Sequence, residues 1–153
     1  MNKKKLIREQ LDASLQRLRP LLEVTAPPKG WIRAIRNALG MTARQLANRL
    51  GVAQQAVSRV EKEERAGSVT TKTMRRIADN LDCVFVYGFV PRTSLEATVA
   101  QQAKKVATQR LAQASQTMSL ENQALSKREN EQALADLVDE LIRMLPSDLW
   151  NKS

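Results

Sequence analysis

The apolar positions of this chain come in short bursts at helical spacing, punctuated by prolines and glycines. Leu6, Leu11, Leu15 and Leu18, with Ile7 beside them, predict a helix over 3–19 that Pro20 ends. The stretch TAPPKG, 25–30, is a break, because a residue before proline is pushed out of the helical region. In GWIRAIRNALG, 30–40, Trp31, Ile35 and Leu39 share a face, with Ile32 next to it, and Gly40 can close the helix. Thr42 suits the N-cap of a helix through Leu50, closed in turn by Gly51. A further helix spans Gln54–Lys62, EERAGS reads as a polar turn, and Thr70 caps a helix to about Leu81.

The pattern then changes. CVFVYGFVP, 83–91, is β-branched and aromatic on both faces and is stopped by a proline, which predicts a strand. One strand cannot satisfy its own backbone groups, and the rest of the chain offers it no partner. The same strand in a second copy is the simplest solution, so a homodimer through strand 83–90 is predicted. The other arrangement is a strand lying on the helices with one edge in water. Beyond Pro91, Thr93 with Glu96 and Ser126 with Glu129 have capping-box spacing. They predict a long helix over 94–124 and another over 127–145 that Pro146 ends. LPSDLW forms a coda in which Trp150 packs back. The apolar stripe of the long helix is thin (Val99, Val106, Leu111, Met118 and Leu125), as suits an arm.

Charge sharpens this outline. Of 25 Lys and Arg and 16 Asp and Glu, residues 1–90 hold 17 and 8, and residues 91–153 hold 8 and 8, so the first part carries the whole excess of +9. A basic half of this kind is a footprint for nucleic acid. The chain has no histidine, and its five glycines are scattered, so neither an imidazole base nor a Gly-rich phosphate loop is on offer. An enzyme is therefore disfavoured, and no cofactor or metal is called for. The single Cys83 fits a reducing compartment and a packed, inert position. No apolar run is long enough for a membrane span, and the expected location is the cytoplasm.

The strongest signal is TARQLANRLGVAQQAVSRVEKEE. Two short helices meet at a tight turn for which Gly51 frees the backbone, and Leu46, Ala47, Leu50, Val52, Val57 and Val60 lie where a helix-turn-helix needs apolar packing. The outer side of the second helix offers Gln54, Gln55, Ser58 and Arg59, side chains able to hydrogen-bond base edges in a major groove. The segment resembles the helix-turn-helix of phage Cro and repressor proteins across residues 30–82. That resemblance implies base contacts from Gln54, Gln55 and Arg59, and phosphate contacts from Thr42 and Arg44 on one side and Lys62 and Arg65 on the other. Ala53 departs from the pattern, since a capping Ser or Thr is common there. A dimer implies an inverted-repeat operator with half-sites roughly 34 Å apart, and steeply salt-dependent binding.

With its flanks, the chain resembles a small family called mobile mystery protein A, over about residues 5–150. The carriers are PPKGWIRAIRNALGM, LDCVFVYGFVPR and TMSLENQ. Members of that family are encoded beside a protein with a Fic domain, a fold that moves AMP from ATP to a target hydroxyl. Fic inhibitors share a helical pattern of Ser or Thr, three residues, Glu, then Gly or Asn, and Thr117, Glu121 and Asn122 fit it. Residues i and i+4 share a helix face. The resemblance implies that Glu121 occupies the enzyme arginine that clamps the ATP γ-phosphate. Thr117 would set the register, and Asn122 would allow close approach. Lacking histidine, the chain is not itself a Fic enzyme.

The expected fold is thus mostly α. It has an N-terminal helix and linker over 1–28 and a five-helix helix-turn-helix domain with its DNA-binding part at 29–82. A dimerising β-strand at 83–91 and a C-terminal helical extension over 92–153 follow. The expected function is an antitoxin that inhibits a Fic protein and binds its own operator. The alternative is a plain dimeric transcriptional repressor.

Overall fold

Seven α-helices run through the described residues of the chain, in a computed structural model that describes residues 2–120 and 126–152, the side chains of 118–120 excepted. They are α1 (Lys3–Gln16), α2 (Trp31–Ala38), α3 (Ala43–Leu50), α4 (Gln54–Ala66), α5 (Thr71–Asn80), α6 (Leu95–Leu120) and α7 (Lys127–Met144). Two compact units result: Pro20–Gly88, and Met1–Arg19 with Phe89–Ser153.

In the unit Pro20–Gly88, α2 to α5 enclose a core of Ile32, Leu46, Ala47, Leu50, Val57, Ile77 and Leu81, with Cys83 packed at its edge. The unit therefore holds four α-helices. All five helices expected up to Leu81 are present, but the first of them, α1, groups with α6 and α7 in the other unit, and the segment after Pro20 adds only a short 3-10 turn (Arg19–Glu23). In α2 Ile32 and Arg36 are buried and Ile35 packs partly against the core, whereas Trp31 and Leu39 are exposed, so the face read from the sequence is rotated. The fourth helix does not stop at Lys62. EERA continues it to Ala66, and Gly67 closes it in the left-handed region at φ 76°.

The predicted strand at 83–91 is corrected: no strand occurs among the described residues. A strand exists only as one side of a hydrogen-bonded ladder, whatever its composition. Within the chain, the Cys83 N–H instead closes onto the Ala78 carbonyl at 2.8 Å, finishing α5. Phe85 and Tyr87 still fall on one side of the segment, with ring centroids 5.9 Å apart. The Arg75 guanidinium lies 5.5 Å from the centre of the Tyr87 ring, within cation–π range.

In the other unit, α1 and α7 both pack on α6. Asp12 of α1 caps α6 from outside its own sequence, accepting from the N–H groups of Leu95 at 2.7 Å and Glu96 at 3.2 Å. Ser94, not Thr93, is the local cap, taking the Ala97 N–H at 3.0 Å. Glu96 therefore does not close the predicted box and pairs instead with Arg8 at 2.7 Å. Nor is the first part of α6 an arm. Val99, Ala103 and Ala107 are buried at four-residue spacing, and both alanines join a core with Leu141 and Leu149. The coda closes on Leu149, which is fully buried, while Trp150 remains 56% exposed. Ser126 and Glu129 form the capping box expected at the start of α7. No helix among the described residues is long and apolar enough to cross a membrane.

Candidate nucleic-acid interface

The pair α3–α4 is set by its ends. Thr42 accepts the Gln45 N–H at 3.1 Å, and its own N–H donates to Gln45 Oε1 at 2.8 Å, so two of the helix's orphan donors are met reciprocally. Gly51 ends α3 at φ 67° and ψ 34°, and the Val52 N–H returns to the Ala47 carbonyl at 3.0 Å. The chain needs only residues 51–53 to reverse into α4, and Arg76 of α5 donates to the Leu50 carbonyl beside this turn. Ala53 caps α4 without a side-chain bond, as its methyl requires. Packing holds the helix instead, through Val57 and Glu61 on its inner side.

The back of α4 is fixed by two carboxylates. Glu61 and Arg36 form a buried pair, with Nε to Oε1 at 2.8 Å, and Arg36 also donates to the Met41 carbonyl at 2.9 Å. One turn on, Glu64 accepts the N–H groups of Trp31 at 2.7 Å and Ile32 at 3.0 Å. Gly30, the residue at the N-cap of α2, has no side chain to do this. It also cannot carry one cheaply: its φ is 84°, and a Cβ would lie 2.6 Å from Glu64 Oε1.

With that side occupied, the opposite side of α4 faces water. Gln54, Gln55, Ser58 and Arg59 are all exposed, at spacings that place them on one helical surface. Lys62 and Arg65 extend this surface toward the C-terminal end and are exposed too. Arg44 is exposed in the first turn of α3, beside the cap residue Thr42. Thr42 is expected both to cap α3 and to touch phosphate; the capping bond is present, and its hydroxyl hydrogen remains able to donate. Four polar side chains on the free face of a short helix, flanked by cations, can reach base edges and phosphates in a major groove.

Three carboxylates in VEKEE went unassigned in the sequence. Glu61 and Glu64 are the inner bolts just described. Glu63 lies 3.7 Å from Arg59 in a water-facing i,i+4 pair, a weak tether on a side chain that must be free to reach a base. The spacing of 61 and 64 was the available signal, since i and i+3 fall on one helix face.

Residues 32–84 match a family model described as helix-turn-helix. That span runs from the second residue of α2 past the end of α5 and includes every proposed DNA-contacting residue. The chain thus carries a helix-turn-helix domain, the module of DNA-binding transcription regulators. Comparison with curated proteins and with solved structures yields no match. Of the proposed inhibitory residues, Thr117 lies exposed near the end of α6, its hydroxyl bonded back to the Gln113 carbonyl at 3.2 Å. Glu121 and Asn122 lie outside the described residues.

Proposed function

We propose that the protein is a transcription regulator that binds duplex DNA as a pair of copies, with α4 as the recognition helix in the major groove. The observation that carries this reading is the free face of Gln54, Gln55, Ser58 and Arg59, on a helix whose other side is bolted by Glu61 and Glu64. Gln54 and Gln55 suit adenine, and Arg59 suits guanine. Thr42, Arg44, Lys62 and Arg65 supply phosphate contacts at either end. Selection from random duplexes tests this directly. The expected product is an inverted repeat whose half-sites are centred about one helical turn apart. Recovery of no enriched sequence would sink the reading.

The finer role is that of an antitoxin. Thr117, Glu121 and Asn122 form a Fic-inhibitory motif, and Glu121 disables a Fic-domain AMP-transferase by pairing with its phosphate-clamping arginine. The DNA-binding domain then regulates the operon that encodes both. Two observations support this role: the TMSLEN pattern within a chain that resembles mobile mystery protein A, and the exposure of Thr117. AMP transfer by the Fic protein encoded alongside, with labelled ATP, is the test. Wild type should silence it, while Glu121→Gly should still bind and permit labelling. Equal silencing by both would make the motif an ordinary helix surface. Failure of either to bind would leave the plain repressor.

A further inference from the structure

The unit Pro20–Gly88 bears an apolar groove of about 480 Å³ between α2, α5 and the segment after α5. Its floor is core: Ile32, Ile77 and Leu81. Its rim is Leu21, Val24, Trp31, Val84 and Val86, all exposed, with Val84 at 86% and Val86 at 70%. We infer that this groove and its valine rim form the face on which a second copy of the chain docks, so that each copy's Val84 and Val86 cover the other's groove. This rests on the DNA-binding reading only in that a pair of copies is what an inverted repeat requires.

Charge and area both select a second copy as the occupant. The unit holds eleven Lys and Arg against six Asp and Glu, yet no charged side chain lines the groove. Two identical basic bodies repel across most of their surfaces, and a two-fold contact brings a patch against itself. The uncharged face is where two copies can meet without that cost. The five exposed rim side chains offer on the order of 600 Å², the low end of what one partner contributes to a specific interface. None of Gln54, Gln55, Ser58 or Arg59 lines the groove, so docking leaves the proposed DNA face free. A ladder between the two 84–88 segments is not needed. Side chains entering a groove suffice.

The test is sedimentation velocity on the full chain from about 1 to 100 µM, with Cys83 as a reporter, since it lines the groove and is the single cysteine. Wild type should sediment as a dimer, and alkylation of Cys83 should slow as the dimer fraction rises. The double variant Val84→Lys, Val86→Lys should keep its helical circular dichroism. Its dimer dissociation constant should rise by on the order of 100-fold or more. A monomeric wild type would overturn the inference, leaving the groove to a small apolar ligand or to another protein. So would a dimer that survives the double variant, or one in which Cys83 alkylation ignores concentration. Arg59→Ala separates the two readings: it should weaken DNA binding and leave the sedimenting mass unchanged. A wild type that dimerises but binds no DNA would refute the DNA reading alone.

Discussion

Arg36 and Glu61 meet inside the domain as a pair with both side chains about nine-tenths buried, joining α2 to the inner side of α4. Such a pair is a poor source of net stability and a severe liability when halved. Arg36→Met or Glu61→Gln leaves one charge or its donors stranded, and each should cost about 3–5 kcal/mol in urea unfolding. The double replacement Arg36→Met, Glu61→Leu should recover most of that loss. A double variant as unstable as the singles would show that Arg36 is held by its bond to the Met41 carbonyl and not by Glu61.

Gly30 and Glu64 should couple as well. Gly30→Ala forces an unfavourable φ and displaces the carboxylate that caps α2, for a loss of about 1–3 kcal/mol. Glu64→Ala alone loses the cap, about 1 kcal/mol. In the double variant the carboxylate is already gone, so the cost of Gly30→Ala should shrink to its φ strain. Strict additivity in thermal or chemical unfolding would contradict the contact.

Leu149 and Trp150 invert the ranking that size suggests. Leu149 is fully buried, with its carbonyl held by Gln102 at 2.7 Å. Leu149→Ala should cost about 2–5 kcal/mol by cavity formation. Trp150→Ala should lie within about 0.5 kcal/mol of wild type. The reverse order would place Trp150 in the core.

How far the sequence carries the fold depends on where each signal sits. Thr42, Gly51, Thr70 and Ser126 act within a few residues of themselves, and their caps and turns were legible for that reason. The exposed face of α4 was legible too, because its apolar complement recurs at helical spacing. Glu61 and Glu64 were not, since their partners stand 25 and 32 or 33 positions away and a run of acids looks like a solvated turn. Ala103 and Ala107 carry little hydrophobic signal yet are fully buried, so α6 looked thinner than it is. The strand failed for another reason: valines and aromatics report a preference for extended backbone, and a ladder needs a partner that composition does not supply.

Glu129 gives a pH dependence with a definite sign. Its carboxylate accepts the Ser126 N–H and takes part with the Ser126 hydroxyl in the capping box, and these bonds hold it below the ordinary glutamate value. A folded-state value below the unfolded one means the stabilisation is present above the unfolded value and is lost as pH falls through the folded one. Helix α7 should therefore loosen at its first turn only on the acid side of the ordinary glutamate range. Side-chain carboxyl NMR should find Glu129 titrating below an unstructured glutamate, and Ser126→Ala, which keeps the backbone N–H, should move it only part of the way back. A midpoint at the unstructured value would contradict the box.

In the proposed function the free face of α4 reads bases while its flanks hold phosphates. The most direct measurement is fluorescence anisotropy on a selected duplex and on single-base variants of it, across a salt series. Arg59→Ala should lose about 1–3 kcal/mol on the selected duplex and lose discrimination at one base pair per half-site. Lys62→Ala should weaken all duplexes alike and reduce the salt slope by about one for each contact removed. Equal weakening by Arg59→Ala on every duplex, with specificity intact, would contradict a reading role for this face.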